Sequence, residues 1–224
     1  IESVIALGRD VFESALVDSI ITQVSQQSVP TVSAGSMTAG SVNLLNCVSK
    51  SALTEPYYLD PLLSPHYAFI ERLDKANGRL AGIILCESAC ATSDAYKIKP
   101  LVLECSGTFD PKVEYAMVNT GTLGKYVSRW DTKPMTYLKA KYLKPVVKRA
   151  EFAKHFTKSY KAKSDAKKII VKGLTLLDAA LDLRGEVIPG KTTLVLTGED
   201  DTILKYACAI LNCPLSIFYV KARY

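Results

Sequence analysis

Fifteen of the chain's 28 Lys and Arg fall between residues 121 and 172, beside only three of its 22 Asp and Glu (Asp131, Glu151 and Asp165). The segment is therefore +12, and the rest of the chain, within an overall +6, is −6. This limits what the segment can fold into. Residues 137–160 are too polar and Lys-rich for a core helix, and predict either a solvated amphipathic helix or a loop that orders on a ligand. With so few acids, i,i+4 ion pairs cannot neutralise the lysines. Tyr126, Trp130, Tyr137, Tyr142, Phe152, Phe156 and Tyr160 recur through the same stretch, at intervals that suit stacking or wedge residues. A concentrated basic and aromatic region points to a polyanion, most simply nucleic acid; a solvated face or a surface for an acidic protein fits the same composition.

The 224 residues are enough for one large domain or two small ones, and 48% hydrophobic residues can supply a core. No apolar run reaches the roughly 18 residues that a spanning helix needs. No basic start followed by an apolar run marks a signal peptide, and a first residue of Ile is read as a fragment of a longer protein. The six cysteines (Cys47, Cys86, Cys90, Cys105, Cys208, Cys213) sit in apolar or small surroundings, as reduced thiols of a cytoplasmic protein would. Cys86-x3-Cys90 has no second pair at finger spacing, and His66 and His155 are the only histidines, so a structural metal is not expected.

Along the chain, residues 2–25 read as amphipathic or strand-like, 25–41 as a linker or irregular strand-loop stretch, and 67–77 as a helix ended by Gly78. Glu55-Pro56-Tyr57-Tyr58 reads as a turn. Runs at 80–85, 96–103 and 113–118 predict strands, and 119–124 a loop. In the last third, Lys168-Ile169-Ile170-Val171 predicts a strand and 181–196 a hairpin turning at Pro189-Gly190. Asp200-Asp201-Thr202 predicts the N-cap of a helix stopped near Pro214, and 215–220 a final strand. Strands and helices without regular βαβ alternation predict an α+β fold, a mixed sheet with flanking helices.

Gly185-Glu186-Val187-Ile188-Pro189-Gly190-Lys191-Thr192 matches the phosphate-loop pattern Gly-x4-Gly-Lys-Thr, with Lys191 placed to reach the terminal phosphates. That chemistry needs a helix starting just after the threonine. Thr193-Leu194-Val195-Leu196 is instead strand-like, and the preceding 177–184 reads as helical or coiled. A hairpin turn is preferred, with a nucleotide-binding protein kept as an alternative. No other catalytic constellation is evident.

The lysines suit phosphates, whereas base reading favours bidentate donors. Lys125, Lys139, Lys141, Lys144, Lys148, Lys154, Lys167, Lys168 and Lys191 are therefore expected at a DNA backbone, and Asn119, Arg129 and Trp130 at bases or groove shape.

Three blocks carry a resemblance to a known family: 118–130 (Val-Asn-Thr-Gly-Thr-Leu-Gly-Lys-Tyr-Val-Ser-Arg-Trp), 167–174 (Lys-Lys-Ile-Ile-Val-Lys-Gly-Leu) and 206–219 (Tyr-Ala-Cys-Ala-Ile-Leu-Asn-Cys-Pro-Leu-Ser-Ile-Phe-Tyr). Together they resemble the C-terminal target-recognition region of Taq-type adenine-specific DNA methyltransferases, including fused restriction-modification enzymes. Residues 11–21 are similar to the last strands of the methyltransferase domain in such proteins. The resemblance implies a methyltransferase remnant at 1–28, a connecting segment at 29–79 and a DNA target-recognition domain at 80–224. It implies double-stranded DNA and an upstream methyltransferase domain as partners, with S-adenosylmethionine and the catalytic motifs in that upstream domain. It expects no cofactor and no catalysis in this piece, and no membrane.

Overall fold

A computed structural model describes residues 1–9, 11–13, 17–53, 58–75, 79–173 and 177–223. Residues 55–57 of the expected turn, the helix stop at Gly78, the middle of the 11–21 stretch (14–16) and the end of block 167–174 (Leu174) lie outside the described residues. The class is α+β, with four sheets among the described residues in place of one mixed sheet. The chain divides into two compact units, Ile1–Asn77 with Phe218–Tyr224, and Gly78–Ile217.

The first unit contains β1 (Ser3–Gly8), β2 (Ser19–Gln23), β3 (Thr31–Thr38) and β4 (Ser41–Ser49), in the order β2-β1-β3-β4. Only β1 and β3 run parallel. The strands β1 and β2 thus share one sheet with β3 and β4, and of the two readings of 25–41, a linker or a strand-loop stretch, the structure has the strand. Ser, Thr and Gly look like a linker in isolation, but small side chains also permit close pairing. A Cβ on Gly35 would lie 2.5 Å from the Asn43 carbonyl oxygen, at the irregularity between β3 and β4. Val32, Ala34 and Val48 form a small core with Leu62, and Asn46 Nδ2 donates to the Leu62 and Ser64 carbonyls. Helix α1 (Tyr67–Asp74) ends on Asp74, whose carboxylate accepts from Tyr219 and lies 3.4 Å from Arg223.

The second unit follows with β5 (Leu85–Ser88), α2 (Thr92–Ile98), β6 (Leu103–Glu104) and β7 (Glu114–Val118). Next come the ribbon β8 (Met135–Tyr137) and β9 (Ala140–Tyr142), then β10 (Pro145–Lys148), α3 (Arg149–His155) and α4 (Ser159–Asp165). It continues through β11 (Lys168–Lys172), β12 (Ala179–Asp182), β13 (Val187–Pro189), β14 (Thr193–Thr197) and α5 (Asp201–Asn212). Helix α6 (Pro214–Arg223) begins in this unit and ends in the first. The two larger sheets are ordered β13-β7-β10-β6 and β12-β11-β14-β5.

The strand over 113–118 is β7, the strand at 168–171 is β11, and the Asp200 carboxylate caps α5 by accepting from Thr202 and Ile203 N–H. Other expectations are corrected. The 181–196 hairpin does not exist: β12 and β14 both flank β11, while β13 pairs in parallel with β7 of the other sheet. Residues 215–220 are helical, because Pro214 stops α5 and also suits the first position of α6. The 96–103 strand is mostly α2 and a short turn before β6, and the 80–85 strand begins only at Leu85. The segment 137–160 is neither a solvated helix nor a loop. Tyr137, Phe152, Phe156 and Tyr160 are buried together with Tyr115, Met135 and Ile188 in the largest core cluster.

Helix α5 covers one face of β11 through Leu204, Ala207 and Cys208 against Ile169 and Val171. Ile170, on the other face, packs with Ala180, Val118 and Leu123. Asn212 closes the helix against β12: its amide donates to the Ala179 carbonyl at 2.9 Å and accepts the Ala179 N–H at 3.1 Å. A side chain thus satisfies the Ala179 N–H, which would otherwise be buried unpaired, and shares the Ala179 carbonyl with the Tyr126 N–H at 2.8 Å. Asn212→Leu leaves the Ala179 N–H unsatisfied, while the Ala179 carbonyl keeps the Tyr126 N–H, and should cost about 2 kcal/mol, read by denaturant unfolding.

Candidate nucleic-acid interface

Residues 119–131 form a compact loop fastened mostly by its own backbone. The Asn119 side chain accepts from Gly121 N–H, Leu123 bridges Ser128, and Gly124 N–H donates to Val127 at 2.9 Å. Lys125 and Tyr126 stand at the tip of that turn, exposed, with Tyr126 in the left-handed region at φ 64°. The loop is clasped to the β8–β9 ribbon and the chain after it at three points. Asn119 Nδ2 donates to the Thr136 carbonyl at 2.9 Å, Asp131 N–H to Leu143 at 3.2 Å, and Trp130 Nε1 to Pro145 at 2.8 Å. A fourth tie joins Thr120 to the chain beside Lys191, its hydroxyl donating to the Thr192 carbonyl.

The fold thus brings together Asn119, Lys125, Arg129, Trp130, Lys139, Lys141 and Lys191, but not for the expected purposes. Asn119 and Trp130 commit their side-chain polar groups to internal bonds, and Trp130 packs on Phe109 with ring centroids 5.1 Å apart. Both hold the loop in place and have no polar group left over for bases. Arg129 differs. Its backbone is fixed by a 2.7 Å bond to Thr122, and its exposed guanidinium lies over Gly124, where a Cβ would come within 3.2 Å of Nε. Lys125, Arg129, Lys133, Lys139, Lys141 and Lys191 form no ion pair among the described residues. Sequence reasoning passed over Lys133, whose backbone N–H donates to the Arg129 carbonyl at 2.9 Å; Tyr126, expected as a stacking or wedge residue, is held at the loop tip by its backbone N–H on the Ala179 carbonyl at 2.8 Å.

Lys144 is half-buried after β9, where Glu104 accepts its backbone N–H. Lys148 is exposed at the end of β10. Lys154 pairs with Glu151 on α3, and Lys167 with Asp201 at 2.8 Å. Lys168 is withdrawn as a phosphate contact. It is fully buried, and its ammonium donates to Asp182 at 2.5 Å and to the Ser164 and Ala166 carbonyls. Burial pushes its pKa below the ordinary lysine value, with the Asp182 charge opposing that shift.

The phosphate-loop look-alike is also explained structurally. A strand, β12, precedes it, not the helical or coiled stretch expected, and a strand, β14, follows it where a nucleotide loop needs a helix. The Arg184, Glu186 and Val187 N–H groups already bind a carboxylate, that of Asp182. Gly185, at φ 64°, is there because a Cβ would lie 2.1 Å from the Asp165 carbonyl oxygen, and Gly190 because one would lie 2.9 Å from that of Val118. Both glycines serve close backbone approach.

Asp165 gathers the basic side chains behind this surface. It accepts from Tyr115 and Lys161 and lies 3.6 Å from Arg149, which stacks on the Tyr115 ring at 3.8 Å. Burial pushes the Asp165 carboxyl up, but the bonds from Lys161 and Tyr115 and the nearby cations outweigh it, leaving the pKa below the usual value. Burial, with the Asp165 bond, pushes the Tyr115 phenol up to about 12. Burial likewise raises the Cys86, Cys90 and Cys208 thiols, the opposite of what a reactive cysteine needs. Among the described residues no cluster of three or more His, Cys, Asp or Glu is placed to hold a metal, and no single helix is long and apolar enough to cross a membrane.

Lys168→Met should cost about 3 kcal/mol in denaturant unfolding, since it strips a buried carboxylate of its counter-ion. Lys139→Gln, at the surface, should stay within about 0.5 kcal/mol. Because the Asp165 pKa is lowered by folding, its stabilisation is complete above the unfolded value and fades as pH falls through the folded one. Thermal melts of wild type should therefore weaken below about pH 4, and Asp165→Asn should flatten that part of the profile. Scanning the chain against protein-family models and searching the curated proteins both gave no match.

Proposed function

We propose that this chain binds double-stranded DNA. In this reading it is the target-recognition part of a site-specific adenine-N6 DNA methyltransferase of a restriction-modification system. An upstream methyltransferase domain would bind S-adenosylmethionine and carry out the transfer; this chain would hold and select the DNA. The observation that carries the proposal is the clasped surface. Loop 119–131, the β8–β9 ribbon and the turn at Lys191 are bonded into one patch carrying six cations that no acid neutralises by an ion pair among the described residues. Flexible lysines in such numbers suit a phosphate backbone, a dense and regular array of charge.

The three resemblance blocks support the same reading. Block 118–130 is the clasped loop, block 167–174 contains β11 beneath it, and block 206–219 contains Asn212, which closes α5 on β12. Residues far apart in sequence thus bear on one surface and its support.

Fluorescence anisotropy with a labelled 30-base-pair duplex tests this. Affinity should fall steeply and linearly in a plot of log K against log salt. The triple variant Lys125→Gln/Lys133→Gln/Lys141→Gln should reduce that slope by about 0.9 for each phosphate it no longer neutralises. No duplex binding at low salt would overturn the proposal. Polyglutamate competing as well as duplex at equal charge would instead favour an acidic protein partner.

A further inference from the structure

We propose that the β8–β9 ribbon enters the DNA major groove and that its tip, Leu138-Lys139, reads bases there. This rests on the DNA binding proposed above and names the element that supplies specificity. Two of the three side chains expected to read sequence, Asn119 and Trp130, spend their polar groups inside the protein. Arg129 has no ion pair among the described residues, but its guanidinium lies over Gly124. The exposed tip of the ribbon is the next candidate along the same clasped surface.

The ribbon is built to present that tip. It is a separate two-stranded sheet, with Met135 opposite Tyr142, Thr136 opposite Lys141 and Tyr137 opposite Ala140. One face is anchored. Met135 and Tyr137 are buried, the Tyr137 hydroxyl donates to the Ala95 carbonyl at 2.8 Å, and Tyr142 packs on the same core. On the other face Thr136 and Lys141 are exposed, and Leu138 at the tip is 40% exposed. Two strands about 4.8 Å apart fit a groove about 12 Å wide. The charge is complementary: residues 132–150 hold six Lys or Arg and no acid.

The turn itself is the second observation. Leu138 and Lys139 lie at φ 43° and 69°, the pair of positive values of a two-residue type I′ turn. That turn is best made by Asn-Gly, and side chains such as these are strained in it by about 1–3 kcal/mol each. What Leu-Lys adds over Asn-Gly is an apolar branch and an ammonium, the groups that meet a thymine methyl and the guanine O6/N7 edge.

The same turn supplies a test that does not depend on damaging the fold. The 224-residue chain is used to select duplexes from a random pool, and affinity is compared between a selected duplex and its shuffled counterpart. Leu138→Asn/Lys139→Gly should keep or raise the melting temperature while cutting the selected-over-shuffled ratio by about tenfold or more. Lys141→Gln should weaken both duplexes alike. Methyl green, a major-groove ligand, should displace the protein, and netropsin, a minor-groove ligand, should not. An unchanged ratio in the double variant, or a wild type that binds duplex without preference, overturns the ribbon as reader while leaving DNA binding intact. Displacement by netropsin alone overturns the groove assignment. A wild type that binds no duplex removes both readings.

Discussion

The second unit depends on a buried ion pair. Lys168 opens β11 and Asp182 closes β12, and their side chains meet where water does not reach. Burying two charges costs several kcal/mol each unless every polar atom is occupied. Here they are occupied: the ammonium also holds two carbonyls at the end of α4, and the carboxylate also accepts three backbone N–H groups after β12. That second set of bonds turns the chain away from its own sheet, so that β13 pairs with β7 in the other one. A single carboxylate therefore ties the two sheets together. It also occupies the amide nest that the Gly-x4-Gly-Lys-Thr pattern would otherwise offer to a phosphate.

The basic segment divides its labour on the same principle. Apart from the exposed Tyr126, its aromatic rings turn toward the core, where Phe152, Phe156 and Tyr160 stack edge-on and tilted against Tyr115 and one another. Most of its lysines stay outside, where their charge is hydrated, with Lys168 the buried exception. The composition that suggested stacking residues for nucleic acid is thus a core and a charged shell made from one stretch of chain. Lysines with acidic neighbours, at 154, 161, 167 and 172, brace helices and strands. Of those that form no ion pair among the described residues, Lys125, Lys133, Lys139 and Lys141 lie on the loop and ribbon that Asn119 and Trp130 fasten together, or between them. In the proposed reading, affinity comes from that cluster and selectivity from the few side chains held rigidly at its tips.

Local chemistry was legible where a residue acts on its own neighbours. Asp200 caps α5 because its carboxylate reaches the next turn's N–H groups, and Lys168–Val171 extends because β-branched residues favour a strand; neither needs the rest of the fold. The α+β class followed from the same signals. What failed were inferences about residues whose partners lie far along the chain. Leu215–Val220 has the composition of a strand but continues as helix from Pro214. Pro189-Gly190 has the composition of a hairpin turn, yet Gly190 N–H binds Val118 at 2.7 Å and the chain passes between sheets. Leu138-Lys139 makes a tight turn with no Gly or Asn to announce it, because the flanking strands and the buried Tyr137 hold it there.

The sequence by itself determined that a large positive charge is concentrated in one stretch, because ionisable groups count the same in any fold. It also determined the helix cap, the strand at 168–171 and the absence of a long apolar span. Only the tertiary structure decided which charges face solvent. Lys168 and Lys141 are the same residue type in the same basic stretch, yet one is a buried counter-ion and the other is exposed. The difference is whether packing places a carboxylate and carbonyls, or water, around the ammonium, and that depends on contacts between segments no local pattern encodes.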